Sequence, residues 1–128
     1  MLSTLKIERR SEDVVMVSVD EAPQLADGIE ALIREGEGIT VVASIAEAER
    51  RGWHAEFRAA WLTVAVHSSL EAVGLTAAMS EALTECNIAC NVIAGYFHDH
   101  LLVPVDQADA AIVALESLSS QNSGTLGE

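Results

Sequence analysis

Histidines and cysteines give this chain its widest range of chemistry, and most of them fall in one stretch. His98-Asp99-His100 is the densest group. On an extended strand the two imidazoles point to one side and the carboxylate to the other. Two histidines spaced i, i+2 can share a Zn²⁺ or Ni²⁺, and His67 on a neighbouring strand could supply a third nitrogen. Glu71 would then be the general base that zinc catalysis needs. The competing role is structural: strand-end histidines hydrogen-bond loop backbone, with Tyr96 and Phe97 holding the turn. The residues favour that role, and no metal is assigned. Cys86 and Cys90 have apolar neighbours and no further cysteines to pair with, which predicts buried, reduced thiols. His67 and Ser68 are adjacent, so on a strand they point to opposite faces and cannot act as base and nucleophile. No Gly-x-Ser-x-Gly elbow and no Gly-rich phosphate loop with Lys is found. The expectation is a protein that is not an enzyme and holds no cofactor.

Composition narrows the partners. The chain has 128 residues, half of them apolar, and a net charge of −13. That is enough to bury the core of one domain or of two half-size modules. All seven basic residues (Lys6, Arg9, Arg10, Arg34, Arg50, Arg51, Arg58) precede residue 59. Nucleic acids and anionic membranes are held by Lys and Arg, so neither is an expected partner of the second half. No apolar run approaches the ~20 residues needed to cross a bilayer. The first residues (MLSTLKIERRSEDVV) lack a secretory pattern, and a cytoplasmic protein is expected.

The elements that must position these residues follow from periodicity. Residues 2–8 and the β-branched run 14–19 read as strands, with 11–13 as the turn between them. After Pro23, the spacing of Leu25, Ile29, Leu32 and Ile33 predicts a helix over 24–34 ended by Gly36 and Gly38. Residues 39–45 read as a strand, 46–51 as a short helix stopped at Gly52, and 53–57 as a short strand. The run 61–66 is apolar throughout, as in a strand buried on both faces. A loop over 67–74 leads to a helix over 75–86. Its stripe is Leu75, Ala78, Met79, Ala82, Leu83 and Cys86, and Asn87 suits a left-handed stop. Strands over 88–94 and 100–105 flank a turn at 95–99. Asp106 caps a last helix with the stripe Ala108, Ala111, Ile112, Leu115 and Leu118. The polar tail 119–128 reads as flexible.

The second half is therefore β-α-β-β-α, one strand short of a ferredoxin-like βαββαβ plait. An α+β fold of antiparallel sheets with helices on one face is expected. A segment of residues 1–58 must fill the vacant edge. Those residues read as a degenerate N-terminal half, 59–118 as the C-terminal half and 119–128 as tail.

The stretch GLTAAMSEALTECNIACNVIAGY resembles an ACT domain. Gly74-Leu75 stands where such domains carry Gly-Leu or Gly-Val at the helix start. Residues 86–92 (CNIACNV) stand at their turn into the second strand. VHSSLEAVGLTAA, CNVIAGYFHDHLLVPV and IREGEGITVV further resemble a small bacterial family with two ACT-like halves. The sequence departs from most ACT domains in having Val73 where Pro precedes the glycine, and in lacking a last strand. The resemblance implies a regulatory module that pairs as a homodimer and binds a small molecule, often an amino acid, at the loop between first strand and first helix. It places the ligand at Ser68, Ser69, Leu70, Glu71, Val73, Gly74 and Leu75, with Asn91, His98 and Asp99 opposite. Free N–H groups of a helix N-terminus and the hydroxyls of Ser68 and Ser69 suit a carboxylate, and Glu71 or Asp99 an ammonium. A regulated protein partner is also implied. The alternatives are an interaction module without small ligand, or a metal-binding protein using His98 and His100.

Overall fold

A computed structural model describes residues 5–55, 57–66 and 74–126, with side chains described as far as residue 119. The chain divides into two compact units, Ser11–Ala59 and a second made of Met1–Arg10 with Ala60–Glu128. Residues 5–10 thus group with the residues after 59.

In the first unit β2 (Val14–Val19) pairs antiparallel with β4 (Ile39–Ser44), and β4 pairs antiparallel with β3 (Ile29–Arg34). On its other side β2 meets Arg58 and Ala59, the first residues of β5 (Arg58–Val66). The helix expected over 24–34 is strand β3, and no strand forms among the described residues of 53–57. Apolar residues three and four apart do not distinguish a helix from a short, bulged strand. The decision comes from the ends. Gly28 at φ +94° breaks any helical run. Glu35 and Gly38 exchange backbone hydrogen bonds of 2.9 and 3.3 Å, closing a hairpin that pairs residues 29–34 with β4. Val15, Val17, Ile39, Val41 and Ala43 form the core with Ala48.

Helix α1 (Ile45–Arg51) covers that core. Ser44 caps it by accepting the Glu47 N–H at 3.1 Å, and Gly52 ends it at φ +75°. Glu47 is 7 % exposed and bound by Arg50 and Arg51. Their hydrogen bonds, Arg50 first, hold its carboxyl below its ordinary value against the opposing effect of burial. Gly28 packs against this residue: a Cβ there would stand 2.8 Å from the Glu47 Cβ.

In the second unit β1 (Leu5–Arg9) pairs antiparallel with β5, from Leu5 opposite Val66 to Arg9 opposite Leu62. β5 lies beside β7 (Asp99–Pro104), and β7 pairs antiparallel with β6 (Asn91–Ala94). The edge left vacant in the sequence is therefore filled from the N-terminus. Helices α2 (Leu75–Glu85) and α3 (Ala108–Leu126) share one core with the sheet: Met79 and Leu83, then Ala111 and Leu115, against Leu5, Ile7, Leu62, Val64, Leu101 and Val103. Alternation along the strands leaves Trp61, Thr63, His100 and Leu102 on the opposite face.

Several boundaries differ from expectation. Residues 88–90 are irregular and β6 begins at Asn91. Asp106 lies in a 3-10 turn (Val105–Gln107) that has no side-chain cap, rather than capping α3. α3 runs on to Leu126 where a flexible tail was expected. The start of that stretch is tied to β1: the Leu5 N–H donates to Ser119 Oγ at 2.7 Å and the Ile7 N–H to Glu116 Oε2 at 3.0 Å.

Leu115 is fully buried between sheet and helices. Leu115→Ala should cost about 2–5 kcal/mol in urea denaturation, whereas Val113→Ala on the exposed face of α3 should leave stability nearly unchanged. A carboxylate whose pKa is lowered by folding stabilises above its unfolded value, 4.5 for Glu47, and loses that contribution as pH falls through the folded value. Glu47→Gln should therefore lower the melting temperature at pH 7 and lose part of the protein's acid-dependent destabilisation, read by melts from pH 7 to 3.

Candidate functional site

Two regions of the second unit carry the chemistry. The first is the start of α2. Gly74 precedes Leu75 at φ +94°, and a Cβ built on it would meet nothing within 4 Å among the described residues. The glycine is there for a left-handed backbone and not for close packing of helix on sheet. α2 has no side-chain cap and no acidic residue in its first turn, so side chains of its first turn do not compete for its free N–H groups. α1 by contrast carries both the Ser44 cap and Glu47. Ser68, Ser69, Leu70, Glu71 and Val73, the expected ligand residues of this loop, lie outside the described residues, as does His67. Leu75 packs half-buried against the core.

The second region is the β6–β7 hairpin with the sheet face beneath it. Gly95 closes the hairpin by donating its N–H to the His98 carbonyl at 2.9 Å. Asn91 is exposed opposite Leu102, His98 is exposed at the turn, and Asp99 begins β7 half-buried. None of Asn91, His98 or Asp99 packs against Gly74. The expectation that Tyr96 and Phe97 hold the turn is not met. Both project into solvent, 95 % and 83 % exposed, stacked edge-on at 4.9 Å.

His100 points to the face away from the helices and joins residues that sequence reasoning did not associate with it. Trp61 is 3 % exposed and donates its indole N–H to Thr63 Oγ1 at 3.2 Å. Thr63 Oγ1 lies 3.0 Å from His100 Nδ1. The Trp61 and His100 rings are 5.0 Å apart, and the Arg10 guanidinium stands over the indole at 4.3 Å. Burial, then the charges of Arg10 and His98, lower the His100 pKa against the opposing pull of Asp99. The only available signal was the period-2 placement of 61, 63, 98 and 100.

His98 and His100 are 6.4 Å apart between ring centres. No three side chains among the described residues are grouped as metal ligands. The thiols are not buried as expected: Cys86 is exposed beyond the last turn of α2, and Cys90 is half-buried with its pKa raised by desolvation. A groove of about 340 Å³ runs between α2 and α3, floored by Ala78, Ala82 and Ala114 and edged by Glu81 and Glu85. None of the expected ligand residues lines it.

Residues 56–117 match the family model of the ACT domain. A solved structure from Vibrio cholerae, a protein of unknown function titled a possible transport protein, is 37 % identical, with 91 % of each chain covered and a TM-score of 0.84. An Agrobacterium tumefaciens protein is 19 % identical over 93 % of this chain and 90 % of its own, with a TM-score of 0.61, and shares the fold alone. No curated protein matches the chain. No helix among the described residues is long and apolar enough to cross a membrane.

A left-handed backbone costs a non-glycine residue about 1–2 kcal/mol. Gly74→Ala should lower stability by that amount and Gly74→Asn by less, because Asn tolerates this conformation. Equal losses in thermal melts would return Gly74 to a packing role.

Proposed function

Because this chain belongs to the ACT domain family, we propose that it is a regulatory protein that binds an amino acid at the start of α2, and is not an enzyme. The observation that carries this reading is the N-terminus of α2, which no side chain caps among the described residues, behind a left-handed glycine. Its N–H groups and partial positive charge suit a carboxylate. Ser68 and Ser69 supply further donors, Glu71 or Asp99 receives the ammonium, and Leu70, Val73 and Leu75 line the side-chain space. Asn91 and His98 complete the polar rim.

Strand arrangement supports two half-modules. The second unit pairs in the sequence β6, β7, β5, β1, the strand order of a ferredoxin-like plait whose last strand comes from the N-terminus. The first unit repeats it as β3, β4, β2 and the start of β5, with residues 20–28 in place of the first helix. Dimerisation would use β6, whose only partner among the described strands is β7 and whose Val92 is exposed. Two such edges can pair antiparallel. Occupancy would then be read by a protein partner of the dimer, in the cytoplasm.

One observation favours the interaction-module reading, the exposed Tyr96–Phe97 pair, since aromatic side chains anchor protein interfaces.

A thermal-shift panel against the twenty amino acids tests the proposal. One or a few of them should stabilise the protein saturably and without regard to EDTA, by about 2.7 kcal/mol at a hundredfold excess over Kd. A flat panel in a folded protein overturns it. Light scattering should give twice the chain mass, and Val92→Lys should reduce it to the chain mass. A monomer in both would remove the β6 pairing and leave the amino-acid site standing.

A further inference from the structure

The sheet face bearing His100 contains a built side-chain cluster of which the reading above uses only His98. We propose that Arg10, His98 and His100 form a second site, for the oxyanion group of a carboxylate- or phosphate-bearing small molecule, with Trp61 and Thr63 as its rigid support. Three lines of geometry lead there.

Hydrogen-bond polarity comes first. An indole N–H can only donate, so Thr63 Oγ1 accepts from Trp61. Thr63 Oγ1 also lies 3.0 Å from His100 Nδ1, which ties that nitrogen to the support. Once His100 is protonated both nitrogens donate, Nδ1 to Thr63 and Nε2 away from it. Gly95 keeps that side open, since a Cβ there would stand 3.2 Å from Nε2.

Convergence of cations comes second. Residues 60–128 contain no Lys or Arg, so Lys6, Arg9 and Arg10 on and after β1 are the basic residues of this unit. Arg9 turns to the helix side and meets Asp109 of α3 at 3.8 Å. Arg10 instead lies over Trp61, on the face of His100. His98 stands 6.4 Å from His100 on the same side. Arg10 and His100 thus lie against one buried indole, with His98 beside His100, in an acidic protein.

Accessibility comes third. Trp61 is buried, which fixes the platform, while Arg10 and His98 are exposed and His100 is half-buried. The support is rigid and the donors are reachable, the arrangement that favours binding over packing. An oxyanion among these donors would accept charge-assisted hydrogen bonds from all three.

Titration gives the test. Facing His100 are Arg10 and Glu8 from β1, Thr63 and Trp61 from β5, and His98 and Asp99 from the hairpin; Ile93 of β6 is apolar. Arg10 and His98 disfavour its protonation. A bound oxyanion reverses their effect, so binding takes up a proton and tightens as pH falls.

The experiment is an NMR titration of the histidine rings with inorganic phosphate and, separately, acetate, at constant ionic strength from pH 5 to 8. Both should raise the His100 pKa and perturb His98, leave His54 in place, and bind more tightly at pH 6 than at pH 8. Arg10→Ala should weaken binding about tenfold with the amino-acid stabilisation unchanged, and His98→Gln should weaken anion binding similarly. A response to phosphate alone would assign a phosphate site, and to acetate alone a carboxylate site. No shift of His100 up to tens of millimolar of either anion, or a response equal in both variants, overturns the proposal. So does a response that appears only with added Zn²⁺, which would make the two histidines a metal pair.

Discussion

The second unit depends on β1 joining β5. The chain after β7 goes into a helix and never returns to the sheet, so β5 would present an open edge over residues 62–66. An unpaired edge there would leave backbone N–H and C=O groups beside a hydrophobic core. β1 supplies the partners and adds Leu5 and Ile7 to that core. Its own outer edge is then closed by side chains of α3, Ser119 and Glu116, which accept the N–H groups of Leu5 and Ile7. One strand pairing therefore fixes the sheet, seats α3, and brings the three basic residues of the N-terminus to this unit.

The same pairing explains how the open face acquires its polar cluster. β1 alternates: Leu5 and Ile7 point to the helices, Lys6 and Glu8 away from them. Arg10, just past the strand, donates its N–H to the Trp61 carbonyl at 3.0 Å, and its guanidinium comes over the indole. Trp61, Thr63 and His100 then meet because β5 and β7 are neighbours. In the first unit the comparable fixed point is Glu47, whose carboxylate is bound by two arginines of its own helix and packed under Gly28. That packing holds Gly28 close to α1.

The start of α2 differs from the start of α1. A helix that only needs to be stable is capped by a side chain, as Ser44 does for α1. α2 begins from a left-handed glycine, with no side-chain cap among the described residues. The ACT domain match covers this region and the β6–β7 hairpin, while the Vibrio cholerae relative extends the likeness to nearly the whole chain.

Local pattern by itself determined the elements whose signal lies within a few residues. These are the strands at 14–19 and 39–44, the α2 stripe with its Asn87 stop at φ 59°, the short helix ended by Gly52, and the family, through Gly74-Leu75 and the 86–92 turn. Residues 24–34 were not decidable that way. Ile29, Leu32 and Ile33 fit two periods equally, and only the hairpin with β4 selected a strand. The extension of α3 to Leu126 was hidden likewise, because its polar residues have no helical stripe and the partner of Ser119 is 114 positions away. Tertiary structure alone decided that β1 completes the second unit, and that Arg10, Trp61, Thr63 and His100 share one face. Those contacts join residues dozens of positions apart, and strand pairing brings such residues together by backbone hydrogen bonds that no side-chain pattern encodes.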